Sequence, residues 1–141
     1  MAYKGSRIRL DVNDNVATIT FDNEHEKVNK FDQGTLQELR KVTDILKGRN
    51  DINGLLVKSA NKFFIVGADI NEFGALFQGT EEELLGWMEQ ANAIFNDIED
   101  LPYPSLTVIN GTALGGGFEM ALSTDYRIMS DKAVVGLPES K

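Results

Sequence analysis

Apolar and polar residues alternate from Ile8 through Leu10 to Val12, and a second β-rich run follows from Val16 to Phe21. Alternation with a period of two gathers one set of side chains on a single face of a strand. Asn13-Asp14-Asn15 stands between the runs, and such residues accept the backbone angles of a tight turn, so the pair predicts a hairpin. The charged, non-periodic stretch from Asn23 to Lys30 predicts a loop. Leu36, Leu39, Val42, Ile45 and Leu46 then recur at helical spacing, with Asp32 placed to cap that helix and Gly48 to close it. Leu55-Leu56-Val57 is a short apolar run, of the kind found in a sheet covered on both faces.

Further on, Thr80 and Glu83 have the spacing of a capping box. Leu84, Trp87, Met88, Ala91, Phe95 and Ile98 supply the apolar face of the helix behind it, and Pro102 and Pro104 end the helical region. The acidic Glu81-Glu82-Glu83 is best read as carboxylates facing the positive end of the helix dipole. Leu106 to Ile109 predicts another strand, and Gly115-Gly116-Gly117 leads into a short helix from Phe118 to Ser123. Two short strands are expected at Tyr126 to Met129 and Val134-Val135. Strands and helices in alternation indicate an α/β domain.

Composition narrows the chemistry. A length of 141 residues suits one domain, taken here as spanning 1–141. Cysteine is absent, which removes disulfides and thiolate zinc sites, and the single histidine, His25, argues against a multi-histidine metal site. The charge of −8 comes from 22 acidic against 14 basic residues, the wrong balance for a nucleic-acid partner. An anionic coenzyme would need a locally positive site. The first residues lack a signal-peptide pattern, and no run approaches the ~18 apolar residues of a membrane span. A cytoplasmic protein without a transmembrane segment is the expectation.

Four segments could carry chemistry. Phe63-Phe64-Ile65-Val66-Gly67-Ala68-Asp69-Ile70 is an apolar run ending in a Gly-Ala-Asp turn; a buried strand followed by a helix cap accounts for it equally well. Ala113-Leu114-Gly115-Gly116-Gly117-Phe118-Glu119 places glycines where successive backbone N–H groups are free to meet a bound oxygen, although a close packing contact also fits. The spacing is neither that of a dinucleotide fold nor that of a phosphate loop, so NAD is not expected as a cofactor. Glu119 sits among Phe118, Met120, Ala121 and Leu122, where desolvation would raise its pKa toward the range useful for proton transfer, unless it lies on the helix's wet face. Val135-Gly136-Leu137-Pro138-Glu139 holds a second carboxylate in a rigid turn, and two carboxylates in unlike environments divide into acid and base. Lys27-Val28-Asn29-Lys30 by itself is only a loop.

Together, in this order and spacing, these segments resemble the crotonase (enoyl-CoA hydratase/isomerase) superfamily. Within it the likeness is greatest to the N-terminal domain of the multifunctional alpha subunits of bacterial fatty-acid oxidation complexes. It runs from Tyr3 to Lys141 and includes Val-Asn-Lys, Phe-Ile-Val-Gly-Ala-Asp-Ile, Ile-Glu-Asp-Leu-Pro, Ala-Leu-Gly-Gly-Gly-x-Glu and Gly-Leu-Pro-Glu. The resemblance implies a crotonase spiral of ββα units. It implies Glu119 and Glu139 as catalytic acid and base, with the backbone N–H groups of Ala68 and Gly116 as the oxyanion hole. Coenzyme A would lie along Val28, Asn29, Lys62, Ile65, Val66 and Gly67. The enoyl-CoA thioester is then a substrate, and neither a metal nor another cofactor is required.

The chain ends two residues after Glu139, ahead of the C-terminal helices that such proteins use to close the acyl pocket. The domain is therefore expected to be C-terminally truncated, with exposed apolar surface near its end. Implied partners are further copies of the chain or, in a full-length complex, a thiolase beta subunit. The competing expectation is a non-catalytic coenzyme-A-binding or assembly fragment of the alpha subunit.

Overall fold

The computed structural model describes residues 2–24, 29, 33–60, 81–111, 113–114, 120–131 and 135–136. The chain opens with β1 (Tyr3–Lys4), β2 (Ile8–Asn13) and β3 (Val16–Phe21), joined as an antiparallel meander. In the β2–β3 hairpin Asn13 pairs with Val16, so Asp14 and Asn15 form the whole loop. Both take positive φ, 52° and 67°, the mirror-image turn whose twist matches that of the flanking strands. Asn and Asp tolerate this region better than other residues with a Cβ, which is why the predicted turn forms here.

After α1 (Gln33–Gly48) the chain enters β4 (Gly54–Ser59), which runs parallel to β3. Next come α2 (Glu81–Glu99) and β5 (Ser105–Ile109), and β5 is parallel to β4. β6 (Ala113–Leu114), β7 (Tyr126–Met129) and β8 (Val135–Gly136) complete the order. The main sheet has six strands in the order β1-β2-β3-β4-β5-β7, and β6 and β8 form a separate parallel pair. From β3 to β7 every neighbour is parallel, so Phe21, Ser59, Ile109 and Met129 all finish at one edge of the sheet.

The core lies on one face of that sheet. Ile8, Leu10, Ala17, Ile19, Phe21, Leu55, Val57 and Ile109 are buried there, with Leu36, Leu39, Val42 and Leu46 of α1 and Ala91, Ile94, Phe95 and Ile98 of α2 in the same cluster. The apolar residues predicted for α1 are the ones it buries, apart from Ile45, which packs against the core from its margin. Leu56, Leu106 and Val108 point to the opposite face and are only half-buried. The apolar run at Leu55 is thus fully covered on one side, not on both as the sequence suggested.

Among the described side chains of α2, Ala91, Ile94, Phe95 and Ile98 are buried, whereas Leu85 and Met88 are exposed. Met88 was expected to face the core and is exposed: it lies on the stripe of Ala91 and Phe95, but helical spacing fixes only the face of the helix and not how far along it the core extends. The caps expected at Asp32 and Thr80 and the side chains of Glu83, Leu84 and Trp87 lie outside the described residues. The expected strand at Val134-Val135 is observed at Val135–Gly136.

Candidate functional site

In open sheets with parallel strands, ligands bind beyond the carboxyl ends of the strands, where loops leave a rigid scaffold. That edge of this molecule has two described parts. One surrounds Asn29, at the ends of β3 and β4. The other is the β6–β8 pair.

Asn29 is 3% exposed, and its side-chain amide is turned inward. Its Nδ2 donates to the Phe21 carbonyl at 3.3 Å and to Ser59 Oγ at 2.8 Å, while its Oδ1 accepts from the Asn23 backbone N–H at 3.1 Å. Both amide N–H donors are therefore in use within the protein. The Ala60 N–H also donates to the Phe21 carbonyl, at 3.0 Å. A side chain from the predicted coenzyme loop thus joins the last residues of two neighbouring strands.

The start of the same loop is held from the other side. Asp22 N–H donates to Arg7 O and Glu24 N–H to Ser6 O, both at 2.8 Å. Glu38 of α1, nearly buried, accepts from the backbone N–H groups of Arg7 and Ile8 at 3.2 and 3.1 Å and from the Ser6 hydroxyl at 3.3 Å. Burial, with the Glu38 charge beside it, pushes the Tyr3 phenol above its ordinary pKa.

β6 and β8 pair in parallel, Ala113 opposite Val135 and Leu114 opposite Gly136. Their carboxyl ends are consequently side by side. The helical residues 120–122 lead back to the amino ends of β5 and β7, where Asp125 accepts from the Ser105 N–H at 3.0 Å, and they are fixed by polar groups that sequence reasoning passed over. Met120 and Ala121 are fully buried, and their carbonyls accept from Ser123 Oγ at 2.6 Å and Thr124 Oγ1 at 2.7 Å. Thr124 Oγ1 also meets Thr107 Oγ1 of β5 at 2.8 Å. Arg127 Nη1 reaches the Ala121 and Thr124 carbonyls at 3.3 and 2.9 Å, placing a cation where a helix presents unpaired carbonyls. Hydroxyls just past an apolar helical run, with a basic residue shortly after, were the available signal.

Among the predicted site residues, Asn29 is the one the structure describes. Val28, Lys62, Ile65, Val66, Gly67, Ala68, Gly116, Glu119 and Glu139 lie outside the described residues. Among the described residues no group of three or more His, Cys, Asp and Glu side chains is arranged to hold a metal ion. No described helix is long and apolar enough to cross a membrane.

Comparison with known proteins gives a consistent result. A family model described as enoyl-CoA hydratase/isomerase matches residues 11–141. The fatty acid oxidation complex subunit alpha of Psychrobacter cryohalolentis is 47% identical over 142 residues, which is 100% of this chain and 20% of that protein. The subunit of the same name from Acinetobacter baumannii strain AYE is 46% identical with the same coverage. Among solved structures, an enoyl-CoA hydratase from Bacillus anthracis superposes with a TM-score of 0.84 at 28% identity, over 95% of this chain and 51% of that one. Pseudomonas aeruginosa DspI gives a TM-score of 0.85 at 31% identity, over 98% and 51%. The chain spans about a fifth of the length of these curated relatives and about half of the solved ones.

Proposed function

Since the chain belongs to the enoyl-CoA hydratase/isomerase family, with the crotonase fold, we propose that the protein adds water across the double bond of a 2-enoyl-CoA. On the same site it moves a double bond from position 3 to position 2. The observation that carries this reading is the parallel pairing of β6 with β8. Glu119 comes five residues after Leu114 and Glu139 three after Gly136, so each carboxylate follows the end of one of two adjacent strands that point the same way.

In hydration Glu119 takes a proton from water as its oxygen adds to the β-carbon. Glu139 shares that water's hydrogen bonds and delivers a proton to the α-carbon. The thioester oxygen, which gains negative charge meanwhile, is held by the backbone N–H groups of Ala68 and Gly116; donors fixed in advance need no reorganisation as charge develops. In isomerisation the same carboxylates carry a proton from one carbon to another, and the thioester leaves with its electrons rearranged and no atoms gained or lost. Coenzyme A is held along Val28, Asn29 and the segment from Lys62 to Gly67. The alpha-subunit relatives support a place in a fatty-acid oxidation complex, and the partner assigned to it in this reading is a thiolase subunit.

The test is kinetic and uses the complete protein. Glu119→Gln and Glu139→Gln each lower crotonyl-CoA hydration by roughly 10²–10⁴-fold, the usual worth of a positioned acid or base. Gln keeps the shape while removing proton exchange, so coenzyme binding stays nearly unchanged. The double variant loses less than the product of the two singles, because both groups act in one transition state. Near-normal turnover in either single variant removes that glutamate from the mechanism.

A further inference from the structure

Two Asn-Gly steps stand in the chain, Asn53-Gly54 and Asn110-Gly111, and neither takes part in the chemistry above. In such a step the glycine nitrogen can attack the asparagine side-chain carbonyl carbon, because glycine has no Cβ to crowd the approach. The fold treats the two steps unequally. Asn53 is exposed in the turn between α1 and β4, and among the described residues no hydrogen bond holds its side-chain amide. Asn110 is half-buried at the end of β5, with its Oδ1 shut from solvent and Gly111 buried beside it. We propose that the fold makes Asn53 a site of deamidation through Gly54 and withholds that reaction from Asn110.

The reaction needs only water. A bond forms between the Gly54 nitrogen and Asn53 Cγ, the Cγ–Nδ2 bond breaks, and ammonia leaves with the proton that the Gly54 nitrogen gives up. Water then opens the cyclic imide at either carbonyl, leaving aspartate or isoaspartate at position 53. Gly54 pairs with Val16, each the first residue of its strand, so the ladder opens here at the end where strands fray. Conversion also has a structural consequence. The Asn53 N–H donates to Asn15 O at 2.7 Å, and the Leu55 N–H donates to Pro104 O at 2.9 Å. These bonds tie β4 to the β2–β3 hairpin and to the segment entering β5. Isoaspartate runs the main chain through the former side chain and inserts a carbon between them, which loosens the start of β4.

The test ages the complete protein in warm, mildly alkaline buffer and follows positions 53 and 110 by peptide mass. Isoaspartate is detected with an isoaspartate O-methyltransferase and a labelled methyl donor. Expected is conversion at Asn53 at least about tenfold faster than at Asn110 in the folded protein, and comparable rates at the two once urea unfolds the chain. Equal rates in the folded protein, or a gap that persists in urea, overturns the proposal. Gly54→Ala is the chemical control. Among the described residues a Cβ at Gly54 meets only Pro104 O, at 3.7 Å, so the variant keeps the fold while its methyl slows the attack by about tenfold. An unchanged rate at Asn53 in Gly54→Ala overturns the route through the Gly54 nitrogen. Urea denaturation of the aged protein reads the consequence: the isoaspartate fraction unfolds at lower urea than Asn53→Asp, which carries the charge without the extra carbon. Identical midpoints overturn the loosening of β4.

Discussion

At Gly5 the absence of a side chain is required by a neighbour, not by backbone angles. A Cβ there would overlap Glu38 Oε1 and crowd its carboxyl carbon and the Tyr3 hydroxyl. Glu38 cannot swing away cheaply, because the same carboxylate accepts from Ser6, Arg7 and Ile8. Gly5→Ala is therefore expected to destabilise the chain by about 1–3 kcal/mol, the usual result of overfilling a packed site. In a Glu38→Ala background the closest clash is gone and the Tyr3 hydroxyl remains, so the same change costs less. Urea denaturation of the four combinations measures that coupling, and additive effects would show that the two residues do not share the space.

At the level of elements, α1 and α2 are tied by charge above the apolar seam. Arg40 Nη2 lies 2.5 Å from Asp97 Oδ2 and 2.8 Å from Asp44 Oδ1, and Lys47 reaches Asp97 at 3.3 Å. The hydrogen bond from Arg40 holds the Asp97 carboxyl below the ordinary range; partial burial opposes this and Lys47 reinforces it. A depressed folded-state pKa stabilises the native state above the unfolded value, near ~4, and the contribution is lost as pH falls through the lower, folded value. The pair is partly open to solvent, so it is worth about 1 kcal/mol or less. Asp97→Asn should lower the unfolding midpoint at pH 7, and the gap from wild type should narrow as the pH is taken down below the ordinary carboxylate range. A gap that stays constant over this range would mean that packing, not charge, supplies the tie.

For the whole molecule, β7 closes one end of the six-strand order. All its residues are exposed, with Tyr126 at 65%, Ile128 at 57% and Met129 at 47%. Apolar side chains on a strand at the sheet margin invite another chain to pair there. This is the exposed apolar surface near the C-terminal end that the sequence led us to expect. The chain should self-associate at micromolar concentration, and Ile128→Lys should shift the population toward monomer while leaving the fold intact. Sedimentation velocity decides it: a compact wild-type monomer across that range contradicts the expectation.

The local pattern was enough for the hairpin, α1 and the existence of β4 and β5, because each depends on neighbours in sequence. Period-two alternation needs only adjacent residues, the Asp14-Asn15 turn only two with tolerance for positive φ, and the α1 stripe only residues three and four apart. The order and spacing of Gly-Ala-Asp, Gly-Gly-Gly-x-Glu and Gly-Leu-Pro-Glu led to the family, which the match over residues 11–141 shows. Other features depend on contacts distant in sequence, and those only the tertiary structure decided. The exposure of Met88, on the stripe that buries Ala91 and Phe95, depends on what that turn of α2 meets after folding. The pairing of β6 with β8 joins strands too short to show in any periodicity, and it is their register that brings the roots of the two glutamate segments together. Asn29 and Ser59 lie 30 residues apart, and a buried amide bridging them has no signature along the chain. A hydrogen bond of that kind comes into being only when two strands have taken their places in a sheet.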